Sequence, residues 1–446
     1  MDQGVIKSQL NRFVDVKPNE FFALVMACMY FYLLLCAYYI IRPIRNEMVI
    51  QNGVDNIQWL LLFAAIVMIL ITPCFGWITS RFKTQQFLSY CTLFFAANLL
   101  IFFFLFNSHS GAGQSIWVAR GFYVWVNVFN MFIISLFWSF MNDTFNKEQS
   151  RRLFAFIGAG GTAGALTGPL ITTLLVEKVG LGYLLLISAI ILSLTVVCIY
   201  RLSHWSHVSI NDVSSKSVAN SNSHQNSHEK KPVLKGGVFD GVLLTWRSPY
   251  LLGICAFVVV FAVMSTFLSI QLAETIERLF DDSTQRTKLF SQADLATNVL
   301  TLLFQISITS KLIQWIGYRS TLMLLPIGLT FGFLLIGFAP ILAVMIALSV
   351  FNRAGKYAVL NPTSEMLFTI LSREEKYKAK NFIDTAVVRS SNVLSSWIYA
   401  GVKTLEAGGL GIAMLGAGLG TLWMGISYWI SGQYLQRSGD GKKAAK

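Results

Sequence analysis

The chain has 446 residues, of which 54% are hydrophobic and 13% charged, with a formal net charge of +13. Soluble domains carry about 25% charged residues, so a fold wetted on all sides is excluded. A positive balance of this size would suggest nucleic acid in a soluble protein, and the placement of the charges along the chain decides whether that reading applies.

After a polar tail, residues 1–20, the first apolar run is Phe21–Ile41. It is long enough to cross a bilayer, which takes about 20 residues. It is too long for the apolar region of a signal peptide and shows no cleavage pattern. Further runs lie near 57–78, 86–106, 116–140, 153–176 and 181–200. Residues 201–248 then break the pattern with VSSKSVANSNSHQNSHEKKP, a segment that cannot bury a core and predicts a flexible linker. Runs resume near 250–272, 288–313, 320–338, 341–364, 380–403 and 411–431, before a tail of residues 432–446. Transmembrane barrel strands are about 10 residues of alternating polarity; these runs are twice that length. The expectation is an all-α integral membrane protein of about twelve transmembrane helices. It has two six-helix halves, 21–200 and 249–431, the layout of major-facilitator transporters. The echo of Val128-Phe129-Asn130 in Val350-Phe351-Asn352 supports a duplication.

Of the 35 Lys and Arg residues, 24 fall on the side of the N-terminal tail and the linker. Seven fall on the opposite side: Arg42, Arg45, Lys178, Arg278, Arg286, Lys288 and Lys403. The asymmetry predicts cytoplasmic termini and a cytoplasmic linker. The basic balance is a topology signal, and no nucleic-acid partner is expected.

Arg120, Arg353, Lys356 and Arg389 fall inside predicted spans. A charge there costs roughly 2.5–3.5 kcal/mol on insertion scales and faces a cavity or a partner. Arg353, Lys356 and Tyr357 share a helical face, which suggests an anion site; pairing with acids from other helices is the alternative. Tyr38, Arg42 and Arg45 share a face if the first helix continues through Pro43; cavity cations and interfacial snorkelling fit equally. Arg120, Tyr123, Asn127 and Asn130 form a polar stripe on the fourth helix, and Asp294, Asn298, Thr301 and Gln305 form one on the eighth. Asp294 could pair with a cation, bind substrate, carry a proton or hold a structural hydrogen bond. Asp384 and Arg389 lie about 140° apart on an α-helix and each needs another partner.

Gly160, Gly164 and Gly168 repeat every four residues, which permits close helix packing. Gly158–Ala163 matches a relaxed dinucleotide fingerprint but lacks its strand context, and no Walker A sequence is present. The six cysteines, Cys28, Cys36, Cys74, Cys91, Cys198 and Cys255, lie in apolar runs without CxxC spacing and read as small core residues. Four of five histidines, His204, His207, His224 and His228, sit in the linker; the fifth is His109. No metal site, cofactor or enzymatic activity is expected.

Three stretches, YYIIRPIRNEM (Tyr38–Met48), FWSFMNDTFNKEQSRRLFAFIGAGGTAGALTGP (Phe137–Pro169) and SEMLFTILSREEKYKAKNFIDTAVVRSSN (Ser364–Asn392), resemble the nucleotide transporters, or ATP:ADP antiporters, of plastids and bacteria. FSQADLATNVLTLLFQ (Phe290–Gln305) also fits, and EEKYKAKNFID is the most specific piece. The resemblance implies a major-facilitator fold and exchange or proton-coupled uptake of nucleotides. The matching positions are Arg42, Arg45, Glu47, Asp143, Asp294, Lys378, Lys380, Asp384 and Arg389. Asn46 and Asn392 stand where acids are common in that family, which puts coupling and substrate choice in doubt.

The combined reading is a secondary transporter of nucleotides in a bacterial inner membrane, working by alternating access. Arg42, Arg45, Arg120, Arg353, Lys356, Tyr357, Arg389, Asn298 and Tyr38 are candidates for substrate binding. Glu47, Asp143, Asp294, Asp384, Lys378 and Lys380 are candidates for coupling or gating, the charged loops latching the inner gate. Alternatives are a proton-coupled porter of another organic anion and a non-transporting membrane scaffold or sensor. The oligomeric state is left open.

Overall fold

The structure, a computed structural model, describes residues 20–81, 84–108, 116–218, 240–307, 309–405 and 408–438. All regular elements among them are helical. The first four are α1 (Phe21–Gln51), α2 (Ile57–Arg81), α3 (Thr84–Ser108) and α4 (Ile116–Thr144). Lys147–Val218 turns at Gly180, whose φ of 79° and ψ of 174° belong to a region essentially restricted to glycine. It therefore divides into α5 (147–179) and α6 (181–218). A short helix, Asp240–Arg247, precedes α7 (Pro249–Leu279) and α8 (Ser283–Ser307). The next, α9 (Thr309–Phe338), turns in the same way at Gly317, φ 79° and ψ 163°. A π turn, Lys356–Leu360, interrupts α10 (Leu342–Leu367). The following helix, α11, is built from Arg373–Phe382, a π turn over Ile383–Val387, and Val388–Thr404. It starts where Ser372 and Glu375 cap each other reciprocally. The last is α12, Gly408–Arg437.

Nine helices among the described residues are long and apolar enough to cross a membrane, one of them the 58-residue Glu148–Trp205 that Gly180 divides. Two more, α8 and α11, are not among the nine; they carry the polar residues Asp294, Asn298, Asp384 and Arg389. With the short stretch 309–316 before Gly317 counted in the run expected at 288–313, twelve helical segments match the expected runs. The helices overshoot the runs at several ends. α6 continues to Val218 rather than stopping near 200; within this extension Leu202 is buried and the Trp205 ring lies 6.1 Å from Phe145. Of the predicted linker, residues 219–239 lie outside the described residues, as do 1–19 and 439–446 of the tails.

The chain clusters into two compact units. The first takes the described residues of 1–52, 66–228 and 282–295; the second takes those of 53–65, 229–281 and 296–446. The expected halves divided at the linker alone; these units also exchange 53–65 and 282–295 across that division. In the first unit α1 and α5 meet backbone to backbone. A Cβ on Gly160, Gly164 or Gly168 would run into the carbonyl oxygens of Cys28, Tyr32 and Cys36 respectively. Both sets repeat every four residues, so one stripe lies along the other. Beside it Phe31 stacks on Phe137 at 4.1 Å, and Trp125 stacks on Phe129 at 5.2 Å. In the second unit Trp423 of α12 is fully buried against Phe257 and Phe261 of α7. Gly416 and Gly420 of α12 make room for Phe333 and Thr330 of α9.

Candidate functional site

In the first unit α1 remains helical through Pro43, so Tyr38, Arg42 and Arg45 do share a face. Their partners come from α1 itself, from α4 and from the middle of α8. The Arg42 Nε lies 3.6 Å from Asp294 Oδ2, whose side chain is completely buried, and its guanidinium sits over the Tyr39 ring at 5.3 Å. Asp294 thus has a cation beside it, which favours the ion-pair reading of that residue. Arg45 donates to Asn127 Oδ1 at 3.4 Å and to Asn46 Oδ1 at 3.0 Å, with its guanidinium 5.9 Å from the Tyr123 ring. Arg120 donates from Nε to Asn52 Oδ1 at 2.7 Å and lies over Trp117. Tyr38 is buried between Tyr39 and Phe129.

Glu47, also fully buried, takes two Arg286 donors, Nε at 3.0 Å and Nη2 at 2.7 Å, and Gln51 approaches it at 3.5 Å. A bidentate pair of this kind fixes geometry as well as charge. Lys288 and Glu177 pair at 2.6 Å nearby in the sequence of α8, and Ser291 donates to the Pro169 carbonyl at 2.6 Å. The opening turns of α8 are therefore tied to α1 and α5 by charge and hydrogen bond. At the other end of this unit Arg152 of α5 pairs with Glu20 at 3.2 Å, and Asp143 is exposed.

The second unit arranges its charges differently. On α10 the Lys356 ammonium lies 5.1 Å from the Phe261 ring and 5.9 Å from the Tyr357 ring, and it meets no carboxylate among the described residues. Tyr357 is 42% exposed. Arg353 is one turn earlier and partly buried. The π turn opens at Lys356 itself; such turns often mark functional positions. On α11 the second π turn, Ile383–Val387, includes Asp384 and ends two residues before Arg389, so the 140° expected of a regular α-helix does not apply. Asp384 is exposed, with Lys380 and Glu365 as its charged neighbours. Lys380 itself pairs with Glu365 at 2.6 Å. Lys378 and Asn298 are partly buried.

Two features escaped the sequence. Lys403 bridges Asp55 at 2.5 Å and Glu274 at 2.8 Å, while Tyr399 donates to Glu274 at 2.8 Å. Lys403 stood out only as one of the few cations on its side. The repeated asparagines are the second feature. Asn352 donates to Ser265 Oγ at 2.8 Å, yet the amide oxygens of both Asn130 and Asn352 are buried without a hydrogen-bond partner among the described residues. The Val-Phe-Asn echo was their sequence signal.

The sequence model of the Major Facilitator Superfamily matches residues 21–378. ADP,ATP carrier protein 1 of Chlamydia pneumoniae is 23% identical over 61% of this chain; the match spans 58% of that carrier's length. ADP,ATP carrier protein 2 of the same organism is 21% identical over 99% of this chain and 92% of its own. The crystal structure of a bacterial homologue of iron transporter ferroportin superposes with a TM-score of 0.59 at 16% identity, covering 90% of this chain and 98% of that one. At that identity the likeness is one of fold.

Proposed function

The chain belongs to the major facilitator superfamily and is a multi-pass membrane transporter rather than an enzyme, and on that premise we propose that its cargo is a nucleotide, exchanged or taken up by alternating access. The observation that carries the proposal is the pairing of the cations. Arg45 and Arg120 meet only side-chain amides and aromatic rings, and Lys356 only aromatic rings, among the described residues. Arg42 and Arg286 are matched by Asp294 and Glu47. Each unit thus keeps positive charge that no carboxylate within it neutralises. An unneutralised cation is expensive in a membrane span and is offset when an anion binds. Exposed Tyr357 offers a ring beside Lys356 on which a base can stack. The likeness to two ADP,ATP carriers favours a nucleotide among anions. The membrane proposed is a bacterial inner membrane, with both termini cytoplasmic.

The test is purified protein in liposomes, given radiolabelled ATP with and without internal ADP. Exchange gives uptake that depends on the internal nucleotide. A charge-assisted hydrogen bond contributes about 1.5–3 kcal/mol, so Arg45→Gln or Lys356→Gln lowers uptake by roughly tenfold to a hundredfold at unchanged protein yield. Full uptake by both variants would remove the anion-site assignment.

A second reading rests on Asp294. Its buried carboxylate sits beside Arg42, and protonating it would release that arginine. A proton-coupled porter of an organic anion follows. Collapse of the pH gradient would then stop uptake, and internal counter-substrate would not restore it.

A further inference from the structure

Outside these polar sites the second unit carries an open groove of about 560 Å³ between α7 and α12, within the size range of small-molecule sites. Its lining includes Gly253 and Ala256 of α7 and Thr421, Leu422, Gly425 and Trp429 of α12. The groove exists because two side chains are missing. A Cβ on Gly253 would strike the Trp429 ring, so glycine there lets the indole lie against α7. A Cβ on Gly425 would meet nothing within 4 Å, so glycine there leaves a hollow. Leu422 is 54% exposed and Trp429 43% exposed, so the groove opens outward, on helices that span the membrane.

Two cations flank the line of this groove toward the C-terminal end of α12. The Arg319 guanidinium lies 4.2 Å from the Tyr428 ring, and its Nη2 approaches Gly432. Its Nε is buried with no hydrogen-bond partner among the described residues. The Arg437 guanidinium lies over the ring of Tyr250 at 4.8 Å, one turn before Gly253. At about 100° per residue, Gly432 and Arg437 fall on opposite sides of the line through Gly425, Trp429 and Gln436. Neither arginine meets a carboxylate among the described residues.

We infer that this groove binds an anionic phospholipid, with one acyl chain against Gly425 and Trp429 and its headgroup phosphate between Arg319 and Arg437. The occupant follows from the surroundings. An outward apolar groove at membrane depth is filled by hydrocarbon, and basic pockets at the ends of transmembrane helices take anionic headgroups. The arginines supply the donors that a phosphate requires. The inference is independent of the cargo, because none of these residues belongs to the proposed nucleotide site.

Native mass spectrometry of the purified full chain tests it, with phosphatidylglycerol and phosphatidylcholine of identical acyl chains titrated separately. Inorganic phosphate serves as a competitor. The expected result is one retained phosphatidylglycerol, preferred over phosphatidylcholine by roughly thirtyfold for two basic side chains and not displaced by inorganic phosphate. In R319Q/R437Q that preference falls to near unity. Gly425→Leu fills the hollow without a backbone clash, and it removes retention of phosphatidylglycerol while the protein keeps its elution volume and melting temperature. Equal retention of both lipids by the unaltered chain, unchanged retention by Gly425→Leu, or displacement by phosphate would each overturn the inference. So would a shift of Gly425→Leu from dimer to monomer, because the groove would then be occupied by a second copy of the chain.

Discussion

Glu47 and Arg286 illustrate what a buried ion pair does at the level of single residues. Removing one partner leaves the other as an uncompensated charge, which costs about 3–5 kcal/mol, far more than the net value of the pair itself. Glu47→Gln in detergent is therefore expected to lower the melting temperature by several degrees, and E47Q/R286Q to recover most of the loss. A double variant no more stable than E47Q would show that the pair is not what Glu47 contributes. The same logic separates the arginines of α1. Arg42 has a carboxylate, Asp294, and Arg45 has amides only. Arg42→Gln strands an acid and is expected to destabilise the fold, whereas Arg45→Gln removes only hydrogen bonds to neutral amides and is expected to show its effect in transport. Comparing melting temperature with uptake in the two variants distinguishes these outcomes. Lys356 belongs with Arg45: aromatic faces hold an ammonium by about 0.5–2 kcal/mol and leave its donors available.

At the scale of the helix, glycine spacing decides how closely two elements approach. The carbonyl of Tyr32 lies where a Gly164 Cβ would sit, whereas a Cβ on Gly158 would meet nothing within 4 Å. Gly164→Ala is expected to lower both yield and melting temperature, because backbone rather than a movable side chain must give way. Gly158→Ala is expected to be neutral or to stabilise by up to about 1 kcal/mol through helix propensity. Equal behaviour of the two variants in thermal unfolding would contradict the backbone-contact account of α1 and α5. The π turns of α10 and α11 are the second element-scale device. Each adds one residue to a single turn of a helix that carries candidate ionisable groups, and so changes the register between the groups on either side of it.

At the scale of the whole molecule, orientation in the membrane has a direct test. The Lys and Arg asymmetry predicts cytoplasmic termini. In a cysteine-free background, a cysteine at Lys178 is expected to react with a membrane-impermeant thiol reagent added outside intact cells, and one at Lys235 only after lysis. The reverse pattern would invert the topology.

The sequence by itself determined the helical class, the twelve segments, the in-span cations and the glycine stripe. Each of these is a local property: a run of apolar side chains, a charge within it, or a four-residue period is complete in the stretch that contains it. The family resemblance was also legible, in charged stretches such as EEKYKAKNFID that chance matching of apolar helices does not produce. Only the tertiary structure decided which cation is matched by an acid. Arg286 lies 239 residues from Glu47, and Lys403 lies 348 residues from Asp55, so no spacing rule connects them. It also decided the helical register beyond each π turn, because an α-helical wheel assumes a constant 3.6 residues per turn. The unmatched charge of Arg120 and Lys356 is of the same kind. A cation in a span is read from the sequence, but the absence of a neighbouring carboxylate depends on which helices pack beside it.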